Sequence, residues 1–366
     1  MRVLLLWDSA TNSTWNTSYF MGRALKRLGV EVSNFLYSQE IITQNFAINK
    51  IRGTDDVSYD GEAIFLSNRL LMGYVASFLP DVIIICTGLS LYKSCWKWLH
   101  DFRSELKHPY KIVTVYTESP YRPSEEIELA NWSDYVFTNE KNFVGRLRKF
   151  QPRSWYLPQA YDDKFHILGK KEHKHNVYFC GSGFQSRIKI LSEIDWERAG
   201  ATLTLKGLFQ DIDEKSVLFP YYTEGQVKNE KVVEDYWSSD ICLNIHRQEG
   251  WLVTFERDFP NSYSSEKKGF KVTDAFSMNN RTCEIAATGG FQIVDDTREE
   301  VAEVFGESVP RFGINEPGEL QELITYYTQH PSQRAKMAEE ARLRIGGRTY
   351  LANTKKILSI VGGNNG

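Results

Sequence analysis

The sequence predicts an α/β protein built from two doubly wound domains, each with a parallel β-sheet. Short β-rich apolar runs alternate with helical patterns, as is typical of parallel strands joined by helices. The same plan occurs twice, on either side of a polar stretch between Tyr161 and His175 that is rich in Lys and His. A chain of 366 residues has room for two such domains.

The first half predicts an N-terminal domain over residues 1–165, a usual size for one domain. After the first buried strand, a helix is expected over Ser18–Leu28, because its apolar residues recur at helical spacing and Gly29 follows as a stop signal. The predicted strands of this half are Val3–Trp7, Val30–Tyr37, Val82–Cys86, Ile112–Tyr116, Tyr135–Thr138 and Ser154–Leu157.

The second half predicts a C-terminal domain over residues 172–345. A helix is expected over Ser186–Ile194, and a long helical region from Gln333 to Val361 is interrupted at Gly346-Gly347. The predicted strands are Val177–Cys180, Thr202–Leu205, Ile241–Ile245 and Phe291–Val294. Two such domains are expected to face a central cleft, since open α/β sheets bind ligands at the carboxyl ends of their strands.

Composition points to a cytoplasmic protein without metal. The five cysteines are scattered and form no CxxC pair, which indicates reduced core residues and argues against a zinc site. The N-terminal apolar run is too short for a signal peptide, and no run of 18 apolar residues occurs. A net charge of -3 gives no general reason to expect nucleic acid or an anionic membrane as partner.

The segment Ser277–Asp296 carries residues that suit a nucleotide. A helix is expected from Asn280 to Ala287, and Arg281 and Glu284 lie on one face near its start. A carboxylate there can accept hydrogen bonds from two ribose hydroxyls, while the arginine and the helix N-terminus favour phosphate. Asn280 belongs to the same candidate site. A solvated ion pair between Arg281 and Glu284 explains their spacing equally well.

A second candidate is the glycine-rich turn after the strand Val177–Cys180. Gly181 and Ser182 lie in this turn, which can present backbone N–H groups to a phosphate, and Arg187 follows within reach of a diphosphate. Ser186 stands where the dinucleotide fingerprint has its third glycine, so the motif is incomplete. An ordinary strand-to-helix turn remains an equal alternative.

Four further residues follow predicted strands and are expected at the carboxyl edges of the sheets. Lys206 and His246 end strands of the second domain. His246 is a candidate catalytic residue, and a strand-terminating lysine is an equally good interpretation of Lys206. Asp8 and Glu118 follow strands of the first domain and are candidates for a general base. A turn-forming aspartate and a solvated loop glutamate are the more common roles of such residues.

The stretch Lys141–Lys149 predicts a basic amphipathic helix, with Phe143, Val144 and Leu147 on its apolar side. Such a helix can contact an anionic membrane or a nucleic acid. A solvated helix face is the more frequent outcome for such a charge run.

Several of these segments, in this order, resemble CgeB-like glycosyltransferases, a group related to the retaining, family 4-like sugar-nucleotide glycosyltransferases of the GT-B fold. The similarity spans roughly residues 80 to 355 and rests on YLPQAYDDKFH, YFCGSGFQSRIKIL, LKG, DYWSSDICLNIHR, NNRTCEIAATGGFQIVDD and HPSQRAKMAEEARLRI. The resemblance implies that residues 346–366 form a C-terminal helix that returns to the N-terminal domain, followed by a flexible tail.

The resemblance also implies roles for single residues. Glu284 would bind the nucleotide ribose, Arg187 and Lys206 would hold the donor diphosphate, and Gly181 and Ser182 would lie against it. Larger relatives carry a second glutamate eight positions earlier, where this chain has Phe276. Sugar contacts and the stereochemical course, retaining or inverting, therefore stay open.

Together these features predict a glycosyltransferase that uses a nucleoside-diphosphate sugar, in particular a UDP-sugar, as substrate, with no metal and no cofactor. The acceptor is left open among a glycan, a small molecule, a protein and modified DNA, and so is the oligomeric state. An NAD(P)-dependent dehydrogenase with two Rossmann domains and a non-enzymatic two-lobed sugar-binding protein are the alternatives.

Overall fold

The fold is described from a computed structural model. The described residues are 1–7, 12–54, 61–89, 91–106, 109–169, 173–253 and 267–363. The chain divides into two compact units, and each is discontinuous in sequence. The first comprises Met1–Pro158, Gly250–Phe270 and Leu351–Gly366, and the second comprises Gln159–Glu249 and Lys271–Tyr350.

The first unit contains a six-stranded parallel sheet in the order β2-β1-β3-β4-β5-β6. Its strands are β1 (Arg2–Trp7), β2 (Glu31–Leu36), β3 (Val82–Cys86), β4 (Lys111–Tyr116), β5 (Tyr135–Thr138) and β6 (Ser154–Tyr156). Its helices before the crossing to the second unit are α1 (Asn12–Arg27), α2 (Tyr37–Arg52), α3 (Gly61–Phe78), α4 (Lys93–Phe102), α5 (Pro123–Ala130) and α6 (Val144–Leu147).

The second unit repeats this plan with a parallel sheet in the order β14-β13-β10-β7-β8-β9. Its strands are β7 (His175–Ser182), β8 (Leu203–Leu208), β9 (Tyr222–Glu224), β10 (Ser239–Asn244), β13 (Gln292–Asp295) and β14 (Arg311–Phe312). Its helices are α7 (Gln185–Ser192), α8 (Asn229–Ser238), α9 (Asn280–Ala287), α10 (Glu299–Phe305), α11 (Pro317–Gln329) and α12 (Pro331–Arg344).

Two elements join the first unit from late in the chain. The strands β11 (Glu249–Val253) and β12 (Lys267–Lys271) pair with each other as a small separate sheet. Helix α13 (Tyr350–Val361) buries Ile357 and Val361 in the same apolar cluster as residues of β1 and β3. The Lys111 ammonium also donates to the carbonyl of Val361 at 2.7 Å, which ties the end of α13 to the start of β4.

Both sheets bury side chains on both faces, which is why their strands read as continuous apolar runs. In the first unit, alternate residues of β1 and β3 enter two different clusters. Leu4, Leu6, Ile83 and Ile85 pack toward Trp96, while Val3, Leu5, Val82 and Ile84 pack toward Ile357. The second unit has the same division around β7 and β10.

Every strand predicted from the sequence occurs, with ends shifted by a few residues, and α9 has the predicted limits. The strands β9, β11, β12 and β14 were not predicted, because they are short and lack a buried apolar run. The stretch expected as a polar linker is ordered over 161–169 and belongs to the second unit. Asp162 and His166 are buried there, and the Asp162 N–H donates to Nδ1 of His166 at 3.0 Å.

Across the described ranges, no helix combines the length and apolarity that crossing a membrane requires.

Replacing Ile357 by alanine should destabilise the first unit by about 2–5 kcal/mol, because a fully buried side chain in α13 would leave a cavity. A lower midpoint of urea denaturation measures this loss. Lys355→Ala, at an exposed position of the same helix, should change the stability by less than about 0.5 kcal/mol. Equal midpoints for the two variants would contradict the described packing of α13.

Candidate active site

The candidate site lies at the carboxyl edge of the second sheet, around β7 and β10. These two strands are neighbours, but the chain leaves β7 toward β8 and returns only later to β10 on the other side. Such a reversal of strand order opens a crevice between the loops that follow the two strands, and open α/β sheets bind ligands there.

Arg187 spans the carboxyl ends of these two strands. Its Nε donates to the carbonyl of Ile245 at 2.8 Å, directly after β10, and its Nη1 donates to the carbonyl of Ser182 at 3.0 Å, at the end of β7. The guanidinium is buried and lies near the rings of Phe179 and Phe184. Arg187 therefore links the loops that follow β7 and β10, a role that its place in the sequence did not indicate.

The glycine-rich turn at the end of β7 is shaped by close backbone packing. A Cβ atom at Gly207, which has a φ of +115°, would lie 1.9 Å from the carbonyl oxygen of Gly181. The N–H of Gly183 donates to Leu208 and that of Phe184 donates to Ser182. The glycines therefore allow β7 and β8 to approach, and these two amides already have acceptors within the protein.

An internal carboxylate occupies the first turn of α7. Glu249 accepts hydrogen bonds from the N–H of Ser186 at 2.8 Å and from its hydroxyl at 3.1 Å. A carboxylate at this position satisfies an end amide and the positive end of the helix dipole. The Ser186 amide is thus bound by an acidic side chain, while the expected role of Gly181 and Ser182 beside the diphosphate stays a prediction.

Lys206, at the end of β8, is buried and paired. Its ammonium donates to Asp235 Oδ2 at 2.7 Å and lies 3.5 Å from Glu224. The other oxygen of Asp235 lies 3.1 Å from Nε2 of His175. Burial opposes the ionisation of Asp235, but the hydrogen bonds from His175 and Lys206 lower its pKa below the ordinary value. Lys206 is therefore held in one orientation by an ionised partner.

Arg281 and Lys206 lie near the same thiol. Burial raises the pKa of Cys180, and both cations oppose that rise. Arg281 donates from Nε to the hydroxyl of the buried Tyr236 at 3.2 Å. In the described part of the chain Arg281 and Glu284 form no ion pair with each other. The solvated pair that their spacing allowed does not form, and the arginine extends toward β7 instead.

The first turn of α9 leaves backbone donors available. Asn279 caps the helix by accepting from the N–H of Thr282 at 3.0 Å, and the amide of Asn244 at the end of β10 supports Asn279 and Thr282. Among the described residues, the N–H groups of Asn280 and Arg281 have no acceptor. Two amides and the positive end of the helix dipole therefore remain for an anion.

Glu284 lies one turn into α9 and is 7% exposed. Its Oε1 accepts from the side-chain amide of Asn280 at 2.8 Å and lies 3.8 Å from Nε2 of His166. Its Oε2 has no hydrogen-bond partner within the residues that the structure describes. The carboxylate is thus fixed on one side and keeps an acceptor for a ligand on the other.

His246 is buried and both of its ring nitrogens are engaged. Nδ1 lies 2.9 Å from Asp295 Oδ2, and Nε2 accepts from the N–H of Asn279 at 3.2 Å. Burial lowers the pKa of His246, so the ring is neutral at pH 7, with its proton on Nδ1. Through its contact with the Asn279 N–H the ring positions the start of α9, and a catalytic role of His246 stays a prediction.

The two candidate bases of the first unit have different outcomes. Asp8 lies outside the described residues. Glu118 is half-buried in the turn after β4, where its carbonyl accepts from the N–H of Tyr121 at 2.8 Å. Glu118 thus lies at the carboxyl edge of the first sheet, as expected.

Sequence reasoning missed Glu126, a fully buried carboxyl group on α5. Ser119 donates to its Oε2 at 2.5 Å, Thr138 donates to Ser119 at 2.8 Å, and the N–H of Glu140 donates to Thr138 at 3.2 Å. Burial raises the pKa of Glu126 well above its ordinary value, and the neighbouring Glu118 adds to the rise. Burial therefore favours the protonated form of Glu126.

The basic stretch Lys141–Lys149 does not form the expected amphipathic helix. It consists of a 3-10 turn and the single turn of α6. Phe143, Val144 and Leu147 are buried, the first and last of them in the core beside the first sheet. The apolar side that could have contacted a membrane is used for packing within the first unit.

The protein is similar in sequence to characterised families. The family model described as Glycosyl transferase-like matches residues 153–358. The chain is 23% identical over 272 residues to the spore protein CgeB of Bacillus subtilis (strain 168), over 72% of this chain and 77% of that protein.

Solved structures share the whole fold. A sucrose-phosphate synthase from Thermosynechococcus elongatus aligns with a TM-score of 0.65 and 11% identity, over 100% of this chain and 99% of that one. An alpha-glucosyltransferase in complex with UDP and a 13-mer DNA containing an HMU base aligns with a TM-score of 0.63 and 12% identity, over 99% of each chain. These alignments confirm the predicted two-domain GT-B fold.

Replacing Glu126 by glutamine should make the protein more stable than the wild type at about pH 8 and leave it unchanged at about pH 4. A raised pKa means that the folded state keeps the Glu126 proton over a pH range in which the unfolded state loses it. The stability that this proton contributes is complete below the ordinary glutamate pKa and is lost as the pH rises to the raised pKa. The gain is about 1.4 kcal/mol for each pKa unit of the shift. Urea denaturation across the pH range measures it.

Glu128→Gln is the matched control, since Glu128 lies on the same helix in an ion pair with Lys93 and outside the buried chain of hydroxyls. It should not reproduce the gain at high pH. If Glu126→Gln were as sensitive to pH as the wild type, Glu126 would be ionised in the folded protein.

Proposed function

Because this chain belongs to the family described as Glycosyl transferase-like and is a glycosyltransferase, we propose that it takes a sugar from a nucleoside-diphosphate donor, with UDP as the leaving group. The donor binds at the carboxyl edge of the second sheet, and the acceptor binds the first unit. The observation that carries this proposal is Glu284, a nearly buried carboxylate with one oxygen held by Asn280 and the other left for a ligand.

Glu284 binds the ribose of the donor. A ribose offers two neighbouring hydroxyl donors, and an ionised carboxylate with an unused oxygen accepts such hydrogen bonds strongly. His166 supports the carboxylate from the opposite side, with its Nε2 at 3.8 Å from Oε1. The Nδ1 of His166 accepts a backbone N–H, so its proton is on Nε2 and faces Glu284.

The diphosphate binds at the start of α9. The N–H groups of Asn280 and Arg281 have no acceptor in the described parts of the chain, and a helix N-terminus of this kind favours phosphate. Arg281 adds a positive charge, and Lys206 lies near the same thiol with its own charge offset by Asp235. Arg187 acts indirectly, because it keeps the loops after β7 and β10 in place.

In the transfer, the bond between the anomeric carbon and the diphosphate oxygen breaks, and the anomeric carbon bonds to an acceptor hydroxyl oxygen. The hydroxyl proton leaves either to a base such as Glu118 or to the departing diphosphate. Arg281, Lys206 and the α9 amides stabilise the negative charge that develops on the leaving group, which is electrostatic catalysis by preorganised donors. These cations make a metal ion unnecessary in the proposed reaction.

Two observations favour UDP over a dinucleotide. A solved glucosyltransferase of similar fold is in complex with UDP. A dinucleotide would bring its pyrophosphate to the turn between β7 and α7, but Glu249 already binds the Ser186 amide there. A second anion at that amide would meet the Glu249 carboxylate at close range, which opposes the dehydrogenase alternative.

Replacing Glu284 by glutamine should weaken UDP binding by about 10- to 100-fold, because a charged hydrogen-bond partner contributes about 1.5–3 kcal/mol. Titration calorimetry measures the dissociation constant. The melting temperature of the wild type, measured in a thermal-shift assay, should rise on addition of UDP and not on addition of NAD(P). Turnover of a UDP-sugar should persist in excess EDTA.

Glu322→Gln, an exposed glutamate of α11, is the matched control and should bind UDP as the wild type does. Stabilisation by NAD(P) instead of UDP would overturn the proposal. If the Glu284→Gln variant bound UDP as tightly as the wild type, Glu284 would not be part of the ribose site.

A further inference from the structure

A buried glutamate of α10 holds the segment that leads into α9. The N–H of Glu300 donates to the carbonyl of Phe276 at 3.1 Å, and its Oε2 accepts from the N–H of Met278 at 3.0 Å. Glu300 is 1% exposed, so water has little access to these bonds. One residue thus holds the backbone at both ends of residues 276–278, directly before Asn279, which caps α9.

An arginine fixes the orientation of this carboxylate. Nη1 of Arg348 donates to Oε1 of Glu300 at 2.8 Å, in an ion pair whose glutamate side chain is almost completely buried. A carboxylate has two accepting oxygens, and here the arginine and the Met278 amide take one each. Charge-assisted hydrogen bonds are shorter and stronger than neutral ones. Arg348 therefore sets the direction from which Glu300 reaches Met278.

The backbone of Arg348 is anchored by a pairing of the two ends of the second unit. Its carbonyl accepts from the N–H of Tyr161 at 3.1 Å, and the carbonyl of Tyr161 accepts from the N–H of Tyr350 at 3.0 Å. Residues 159–161 begin the second unit and residues 348–350 end it. The arginine is thus held by backbone bonds that do not involve α9.

The same ion pair lies close to α9 itself. Sγ of Cys283, on this helix, donates to the carbonyl of Gln159 at 3.5 Å, at the start of the second unit. Burial raises the pKa of Cys283, the charge of Arg348 opposes this rise, and that of Glu300 adds to it. The two charged groups are therefore near the first turns of the helix as well as the segment before it.

We propose that Glu300 and Arg348 are positioning residues for the donor diphosphate. The inference rests on the proposed function, in which the amides of Asn280 and Arg281 bind the diphosphate. Glu300 acts without touching the ligand, because it holds residues 276–278 and thereby fixes where α9 begins. Arg348 acts through Glu300. Donors that are fixed before the ligand arrives stabilise its charge without reorganisation, so this pair adds to the affinity for the diphosphate.

The test compares UDP with uridine by titration calorimetry on the full-length protein. Uridine has the ribose of UDP and lacks its diphosphate, so it reports the contacts to the nucleoside alone. Glu300→Gln keeps the size of the side chain but has one accepting oxygen, so either Met278 or Arg348 loses its bond. We expect the dissociation constant of UDP to rise about tenfold and that of uridine to change by less than about twofold.

Glu299→Gln is the matched control, because Glu299 precedes Glu300 on the same helix and is exposed. It should bind both ligands as the wild type does. Arg348→Met should also weaken UDP binding, and its combination with Glu300→Gln should bind UDP no more weakly than Glu300→Gln alone, since residues that act through one contact are not additive. The melting temperature of each variant shows whether it is folded during the titration, and Glu300→Gln decides the outcome if Arg348→Met is not.

Unchanged UDP affinity of Glu300→Gln would overturn the inference. So would an equal loss of UDP and uridine affinity, which would indicate general damage to the site. Additive losses in the double variant would show that Arg348 does not act through Glu300. If the wild type bound uridine as tightly as UDP, or bound neither, the proposed donor site itself would be refuted.

Discussion

The proposed donor site depends on the buried pair of His246 and Asp295. Asp295 at the end of β13 accepts from the His246 backbone N–H and ring, and the other ring nitrogen accepts from the N–H of Asn279. This chain of contacts fixes where α9 begins relative to β10 and β13. A hydrogen bond to a charged group contributes about 1.5–3 kcal/mol, so the bonds from neutral His246 to the Asp295 carboxylate help to determine the register of α9. Asn280, Arg281 and Glu284 take their positions from it.

The sequence predicted what depends on local pattern. The strands follow from apolar runs, α9 follows from its helix signals, and the shared face of Arg281 and Glu284 follows from their spacing. It could not predict partners that are distant along the chain. Lys206 and Asp235 are 29 positions apart, and Ser186 and Glu249 are 63 apart, so only the folded sheet reveals that the lysine is paired and the α7 turn is filled. The prediction of a basic amphipathic helix over Lys141–Lys149 was wrong for another reason. An apolar stripe can pack inward as well as face a membrane.

In the proposed transfer the two sheet edges have different roles. The second edge carries Arg281, Lys206 and the open amides of α9, which suit a leaving group whose negative charge grows as the bond breaks. The first edge carries hydroxyl and carboxyl groups instead. Burial raises the pKa of Glu126, whereas the hydrogen bonds from His175 and Lys206 outweigh burial at Asp235 and lower its pKa. One fold used twice thus supports two opposite electrostatic environments.

Glu249 has a consequence for how the protein selects among anions. Its carboxylate is attached to the same chain as α7, so it competes for the Ser186 amide at an effective concentration in the range of about millimolar or above. Free phosphate or a nucleotide at micromolar levels would rarely displace it. Of the two helix starts described at the crevice, α9 therefore keeps amides for an anion, and under the proposed function the tethered acid would steer the diphosphate to α9 and away from α7.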